Sequence, residues 1–472
     1  MVFSSSLFVL YFLPAFLLVY YFSPRLLKNY VALLFSLFFY AWGAPDFIFI
    51  VVGSIIIDFY LVKWMHRAVG NTKRLLTGMS ILLNVGLLLY FKYANFFVEN
   101  LDSLFHVLGR DSIRWTHVAL PIGISFFTFQ KMTYAVDVYR RIHPPLKTVA
   151  DLALYILMFP QLIAGPIVRF NEIAHQINDR QYNETTDNRL IGFFRFSLGL
   201  ARKVLIANPL GAYADSVFAV DASAVGTAFL WIGILAYAFQ IYYDFAGYSD
   251  MAIGLGLMIG FDFPENFNNP YISQNISEFW RRWHMTLGRW MRDYLYIPLG
   301  GNRVSTRRMY FNLWLVFLIS GLWHGAAWNF VIWGAFHGFF LIADRIFLLN
   351  LYKRIGKLPS VIITFLITLI GWVLFRSESM EQVWHYTQGM FRFTSGDTIF
   401  VSREIWMTMA FAAVFSFWAY FPAVEQWQKK LLSKDQSFKS MMLMSLTAII
   451  LLILSLGSIT SSGFNPFIYF RF

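Results

Sequence analysis

The sequence predicts an all-α, polytopic integral membrane protein with about 11–13 spans and re-entrant or interfacial helices between them. Three observations support this. The 472 residues are 58% hydrophobic, with mean hydropathy +0.55. Only 14% are charged, against roughly 25% in soluble domains. Apolar stretches recur from end to end with no soluble domain or low-complexity linker among them. The chain therefore reads as one membrane-embedded domain over 1–472.

Spans are expected at about 5–22, 30–43, 47–62, 75–91, 118–135, 190–208 and 226–244, then at 309–325, 327–349, 358–376, 404–421 and 441–460. The first charge is Arg25, so the basic start of a signal peptide is missing and the first stretch is expected to be a retained span. Several stretches fall short of the ~20 residues a straight crossing needs. Segments 150–166 and 249–261 are shorter still and read as re-entrant. Pro160, Gly165 and Pro166 interrupt the first of them. Broken backbone survives at depth only where protein or a wet cavity shields it.

Basic residues orient the set. Arg25 and Lys28 follow the first span, Lys63, Arg67, Lys73 and Arg74 the third, and Arg140, Arg141 and Lys147 the fifth. Lys353, Arg354 and Lys357 precede residue 358, and Lys429, Lys430 and Lys434 precede residue 441. The positive-inside rule puts these loops in the cytoplasm and both termini outside. The net charge of +12 suits loops facing anionic membrane lipid or an anionic ligand. Nucleic acid is not expected, because the Arg and Lys are dispersed between spans. There is no cysteine, which excludes disulfides, thiolate metal sites, palmitoylation and a cysteine thioester intermediate.

The long polar insertion at 262–308 is the richest stretch. Asn266, Asn268, Asn269 and Pro270 read as a turn. A helix is expected from about Ser277 to Tyr296. At ~100° per residue, Arg281, Arg282, Arg289 and Arg292 share one sector. Trp280, Trp283, Leu287, Trp290, Met291 and Tyr294 lie opposite, and His284 sits at the border. This is the pattern of a helix lying flat on a membrane surface. Its Arg either anchor lipid headgroups or also grip an anionic donor, since guanidinium suits phosphate.

Two histidines are sunk in apolar sequence, His324 in Leu322-Trp323-His324-Gly325 and His337 in Phe336-His337-Gly338. From Met309 to His324 is roughly 22 Å along a helix, against a hydrocarbon core about 30 Å thick. An imidazole at that depth needs a polar partner and titrates near neutral pH, so it is a candidate for proton transfer inside the bilayer. On one continuous helix His337 would point about 140° away from His324. Gly325-Ala326-Ala327 offers a turn that lets His337 approach His324 or simply pack. His284, His324 and His337 could together ligate a metal, but no H-x-x-x-H or H-E-x-x-H spacing is present and a metal is not expected. Ser320 lies one turn before His324, as a nucleophile would or as a small packing residue. The polar island Tyr242-Tyr243-Asp244-Phe245-Ala246-Gly247-Tyr248-Ser249-Asp250 places carboxylates in apolar surroundings. Asp244 and Asp250 could form structural ion pairs, orient a histidine or relay protons.

Together these features resemble the membrane-bound O-acyltransferase (MBOAT) family, especially its bacterial branch. The carrying segments are Met158-Phe159-Pro160-Gln161-Leu162-Ile163-Ala164-Gly165-Pro166, the Tyr242–Asp250 run, Pro264-Glu265-Asn266-Phe267, Phe279-Trp280-Arg281-Arg282-Trp283-His284, Trp323-His324-Gly325 and the tail Phe467-Ile468-Tyr469-Phe470-Arg471-Phe472. They cover most of the chain in the family's order. The resemblance implies the MBOAT fold, with helices around a central cavity. It carries over His324 as the essential histidine and His284 as the second signature residue. Arg281, Arg282, Arg289, Asp244, Asp250, Tyr248 and His337 are expected to bind the donor or support the site. No tightly bound cofactor is implied; acetyl-CoA from the cytoplasm is the expected acyl donor. The expected acceptor is an exported polysaccharide, alginate first, with cellulose or peptidoglycan as alternatives. A periplasmic partner of the SGNH-hydrolase type and the bacterial inner membrane complete the picture. The competing class is a transporter of polysaccharide or acyl donor without chemistry, which buried Asp244 and Asp250 would also suit.

Overall fold

The computed structural model describes residues 2–162, 165–433 and 435–461. Ile163, Ala164, Lys434 and the tail at 467–472 lie outside the described residues. The described residues are overwhelmingly helical, and their β structure is an isolated parallel bridge between Val225 and Asp397. Seven helical stretches among them are long and apolar enough to cross a membrane. The count becomes eight if Arg403–Tyr420 and Pro422–Leu431, bent by 101°, form one broken span. The remaining expected spans are helices too, shorter or less apolar. The all-α, polytopic expectation is borne out, and the chain is a multi-pass membrane protein.

The chain forms two compact units. The first comprises residues 1–185 and 255–263. Its principal helices are α1 (Leu13–Phe22), α2 (Lys28–Gly43), α3 (Ile48–Arg67), α4 (Gly70–Leu88), α5 (Ala94–Val107), α6 (Ile124–Tyr139), α7 (Val149–Leu157) and α8 (Phe170–Asn178). Helix α1 continues without a break from a π-helical turn at Phe8–Phe12, and Pro14 follows directly on that wider turn. A Thr148–Asp151 capping box starts α7. The stretch expected to be re-entrant is broken at Met158, after α7 and before a short turn at Phe159–Leu162. Leu154 to Leu162 are all buried, so protein shields the broken backbone.

Helices α3, α4 and α6 enclose a charged pair that the sequence reading did not foresee. Lys131 Nζ lies 3.0 Å from Asp58 Oδ2, and the two side chains are 0% and 1% exposed. Asp58 also accepts from Ser80 Oγ at 2.6 Å and Asn84 Nδ2 at 2.8 Å, while Lys131 donates to Ser54 at 2.9 Å. Buried charges persist when paired and hydrogen-bonded in this way.

The second unit comprises residues 186–254 and 264–472. Its principal helices are α9 (Thr186–Ala201), α10 (Asn208–Phe218), α11 (Thr227–Met258), α12 (Ile276–Arg282), α13 (Met285–Met291), α14 (Thr306–His324), α15 (Trp328–Ala343), α16 (Lys357–Arg376), α17 (Met380–Phe391), α18 (Arg403–Phe417) and α19 (Phe438–Ser461); α11 ends in the first unit. The expected span at 226–244 and the separate segment at 249–261 are replaced by the single helix α11. Its carboxylates are neutralised by partners on and just after α9, described below, so the polar island never has to leave the helix. Helices α14 and α15 form a hairpin in backbone contact. A Cβ on Gly321 would lie 2.2 Å from the Phe330 carbonyl oxygen, and one on Gly334 would lie 2.4 Å from that of Phe317. Small residues allow this approach in membrane helices. The turn expected at Gly325–Ala327 is where the hairpin reverses.

Candidate active site

The polar insertion folds differently from its periodicity. The single helix expected over 277–296 is two short helices, α12 and α13, broken at Trp283 and His284. His284 takes a left-handed backbone conformation with φ +44°. Hydrogen bonds from elsewhere in the unit outweigh the helical pattern. Asn275 caps α12 by accepting from Glu278 N at 2.7 Å. Asp344 Oδ2 accepts from Ser277 N at 2.8 Å and from Ser277 Oγ at 2.9 Å. The irregular stretch 266–268 then ties both sides of the break, with Asn268 N donating to Arg282 O at 2.9 Å and Met285 N donating to Asn266 O at 2.8 Å.

The flat interfacial helix is therefore not formed. Trp283, Leu287, Trp290 and Met291 are buried within the protein; Trp283 packs on Phe267, Phe279 and Trp372 at ring distances of 5.1, 5.6 and 4.9 Å. The Arg do not act as one sector. Arg282 binds Glu278 at 2.9 Å and the Asn268 carbonyl at 3.2 Å, and Arg292 binds Asp293 at 2.7 Å. Arg281 is exposed and Arg289 is half-buried.

His284 is buried, and its ring is held from one side. Its Nδ1 lies 3.0 Å from Asn266 Oδ1. Its Nε2 meets no hydrogen-bond partner among the described residues. The ring packs on Phe245 and Trp323 at 4.7 and 6.2 Å. Burial first, and the neighbouring His324 ring second, hold the His284 imidazole well below its usual range.

His324 is the last residue of α14 and is 6% exposed. Its Nδ1 donates to the Ser320 carbonyl oxygen, one turn earlier, at 2.7 Å. Thus Ser320 meets the ring through its backbone; the hydroxyl–imidazole pair considered from the sequence is not what the structure records. The imidazole is walled by Trp323, Trp333 and Phe375 at 4.9, 5.0 and 5.6 Å. The hairpin brings His337 alongside. Trp333 lies between the two rings, 5.1 Å from His337, and Trp280 stacks edge-on to His337 at 5.0 Å. Gly371 on α16 makes room for it, since a Cβ there would sit 2.7 Å from His337 Nε2. All three histidines thus surround one cluster of tryptophan rings. Among the described residues, no three metal-ligating side chains converge.

Of the readings open for the carboxylates, ion pairing is what the structure shows. Lys203 Nζ lies 2.6 Å from Asp244 Oδ1, both nearly inaccessible. Asp250 binds Arg195 at 2.9 Å and also Arg202, and Arg195 holds Glu265 as well. None of these partners belongs to the Arg-rich segment. Tyr248 is buried on α11 beside Ser249. Sequence reasoning missed Arg195, Arg202 and Lys203, although three bases inside one expected apolar span were a visible signal. It placed Asn266 in a turn and in a segment of the family resemblance, and gave its side chain no role.

The profile of the membrane-bound O-acyltransferase family matches residues 67–377. The chain is 45% identical over 395 residues to the probable alginate O-acetylase AlgI of Pseudomonas aeruginosa, covering 83% of this chain and 75% of that protein. It is 39% identical to the probable alginate O-acetylase AlgI of Pseudomonas putida over the full length of both. It is 38% identical over 441 residues to the peptidoglycan O-acetyltransferase of Helicobacter pylori, covering 86% and 82% of the two chains.

Proposed function

Because this chain belongs to the membrane-bound O-acyltransferase family and is a membrane O-acyltransferase, we propose that it passes an acetyl group from cytoplasmic acetyl-CoA across the bacterial inner membrane to an exported polysaccharide. Alginate is the first candidate acceptor, because relatives 45% and 39% identical to this chain carry that name. The observation that carries the reading is His324, buried among aromatic rings with Nδ1 donated to the Ser320 carbonyl. A carbonyl only accepts, so Nδ1 bears the proton and Nε2 keeps the lone pair.

His324 Nε2 acts as general base on the attacking hydroxyl, a role typically worth about 10²–10⁴-fold. As the proton moves to Nε2, the hydroxyl oxygen bonds to the acetyl carbonyl carbon. The carbon–sulfur bond breaks, the ester forms, and the CoA thiolate leaves and recovers the proton. The hydroxyl belongs to the polysaccharide or to a serine of a periplasmic SGNH-type partner. Arg281 and Arg289 offer charge for the donor's phosphates. His284, buried beside His324, contacts the reacting groups, and His337 supports the Trp333 wall. The aromatic lining excludes water that would hydrolyse the thioester. A central cavity, as the family fold implies, would admit donor and acceptor from opposite faces. The transporter reading loses its main support, since Asp244 and Asp250 are engaged in ion pairs.

The test is reconstitution with labelled acetyl-CoA, the candidate partner, and either deacetylated alginate or peptidoglycan. Label should enter alginate as a base-labile ester. Label in peptidoglycan alone would move the acceptor. Transport of donor with no covalent acetyl on any polymer would refute the proposal.

A further inference from the structure

Asn266 makes more contacts to the broken segment than a turn residue needs. Its Oδ1 lies 2.8 Å from Thr286 Oγ1, 3.3 Å from Thr286 N and 3.0 Å from His284 Nδ1. Its Nδ2 donates to Ser249 Oγ on α11 at 3.0 Å. A backbone N–H can only donate, so Thr286 N identifies the atom facing it as the amide oxygen. That oxygen can only accept. The His284 nitrogen sharing it must therefore carry a proton. In a neutral imidazole the other nitrogen then bears the lone pair. That nitrogen, Nε2, is the buried one with no hydrogen-bond partner among the described residues. Asn266 also fixes the ring's base, because its carbonyl accepts from Met285 N beside the left-handed His284 backbone.

We infer that Asn266 is a positioning residue that locks His284 into the Nδ1–H tautomer and presents Nε2 as a hydrogen-bond acceptor. The substrate group that meets His284 is then an O–H or N–H donor and not the acyl carbonyl oxygen. An amide suits this task better than a carboxylate, since it orients the ring without stabilising its charged form. The surrounding charges leave that choice intact. From α14 the titratable neighbour is His324. On α11, Asp244 is engaged by Lys203, and Asp250 by Arg195 and Arg202. Glu265, beside Asn266, is held by Arg195, and Glu278 on the same segment is held by Arg282. Arg281 and Arg289 on that segment are exposed and half-buried.

The inference rests on the acyl-transfer reading only for its kinetic readout. In the full-length protein, Asn266→Asp places a carboxylate of the same shape against Nδ1. The acid limb of the kcat–pH profile should move up by about 1–3 units, as for an ionisable group gaining an opposite charge. Asn266→Ala should lower kcat by about tenfold or more, with KM for acetyl-CoA within about twofold. Nitrogen-15 spectra of histidine-labelled protein, with His284→Gln to assign the signal, should show Nδ1 protonated and Nε2 bare. A bare Nδ1 in the wild type would overturn the inference, as would an active Asn266→Asp enzyme with an unmoved acid limb. If Asn266→Ala fails to fold, the isosteric variant and the wild-type spectrum still decide. If the wild type transfers acyl groups from no donor, the acyl-transfer reading fails while the spectrum still tests the tautomer.

Discussion

His324 and His284 are both tied at Nδ1 to an oxygen that can only accept, one from a backbone carbonyl and one from an amide. Each is therefore a base at Nε2 by construction. His324→Ala should abolish acetyl transfer, a loss of at least about 10²-fold, while the amount of protein extracted from membranes stays at the wild-type level. Near-normal turnover by that variant would remove it from the mechanism. His324 stood out in the sequence because imidazole in apolar surroundings is rare and demands a reason; His284, in a polar insertion, stood out only through the family resemblance of Phe279–His284. Asn266 was not legible as a positioning residue. An asparagine in the stretch Asn266-Phe267-Asn268-Asn269-Pro270 suits an ordinary turn, and nothing in the chain order says that the Asn266 amide reaches a ring beyond the next helix.

At the level of elements, the sequence pattern succeeded where neighbours along the chain decide the outcome. The α14–α15 hairpin and its Gly325–Ala327 reversal follow from local residues alone. Gly321→Leu should prevent the hairpin from closing, since even a Cβ there would lie 2.2 Å from a carbonyl oxygen; little folded protein should elute as a single species in detergent. The pattern failed where distant groups decide. Periodicity over 277–296 describes a continuous helix, but Asp344 and the 266–268 stretch pull it into α12 and α13. Asp344→Ala removes the partner of Ser277 N and Oγ, which should cost roughly 1–3 kcal/mol. The expected result is a lower melting temperature together with reduced transfer, and unchanged melting would show that Asp344 does not hold α12. The helix α11 was misread for a related reason. Its carboxylates looked like a break because Lys203, Arg195 and Arg202 reach them only after folding.

Across the whole molecule, two features were built from charge. In the first unit, Lys131→Met alone leaves Asp58 buried beside neutral donors, and a broken buried pair is destabilising by about 3–5 kcal/mol. Lys131→Met with Asp58→Leu should recover much of that loss, as measured by thermal unfolding in detergent; equal stability of the single and double variants would argue that the pair is not coupled. The basic loops define orientation, and the cysteine-free chain makes this simple to test. A cysteine at Arg354 should resist a membrane-impermeant thiol reagent in intact spheroplasts, whereas one at Ser395, beyond α16, should react. Both positions are exposed, so the reverse pattern would invert the topology. Composition made the membrane class the most readable feature of the three levels, because membrane insertion depends on sums over many residues. The Lys131–Asp58 pair escaped notice because its members are far apart in the chain and each looks like an isolated exception.

The anchor of His324 is one turn away on its own helix, whereas the anchor of His284 comes from a separate stretch of chain. The first ring and its tether travel as a single rigid piece, so breathing between neighbouring helices alters its distance to substrate and leaves its proton arrangement untouched. The second ring keeps its arrangement only while the tertiary closure around it survives. Gentle heating or loosened lipid packing should thus blunt one imidazole before the other, and the enzyme would dim gradually before it collapses.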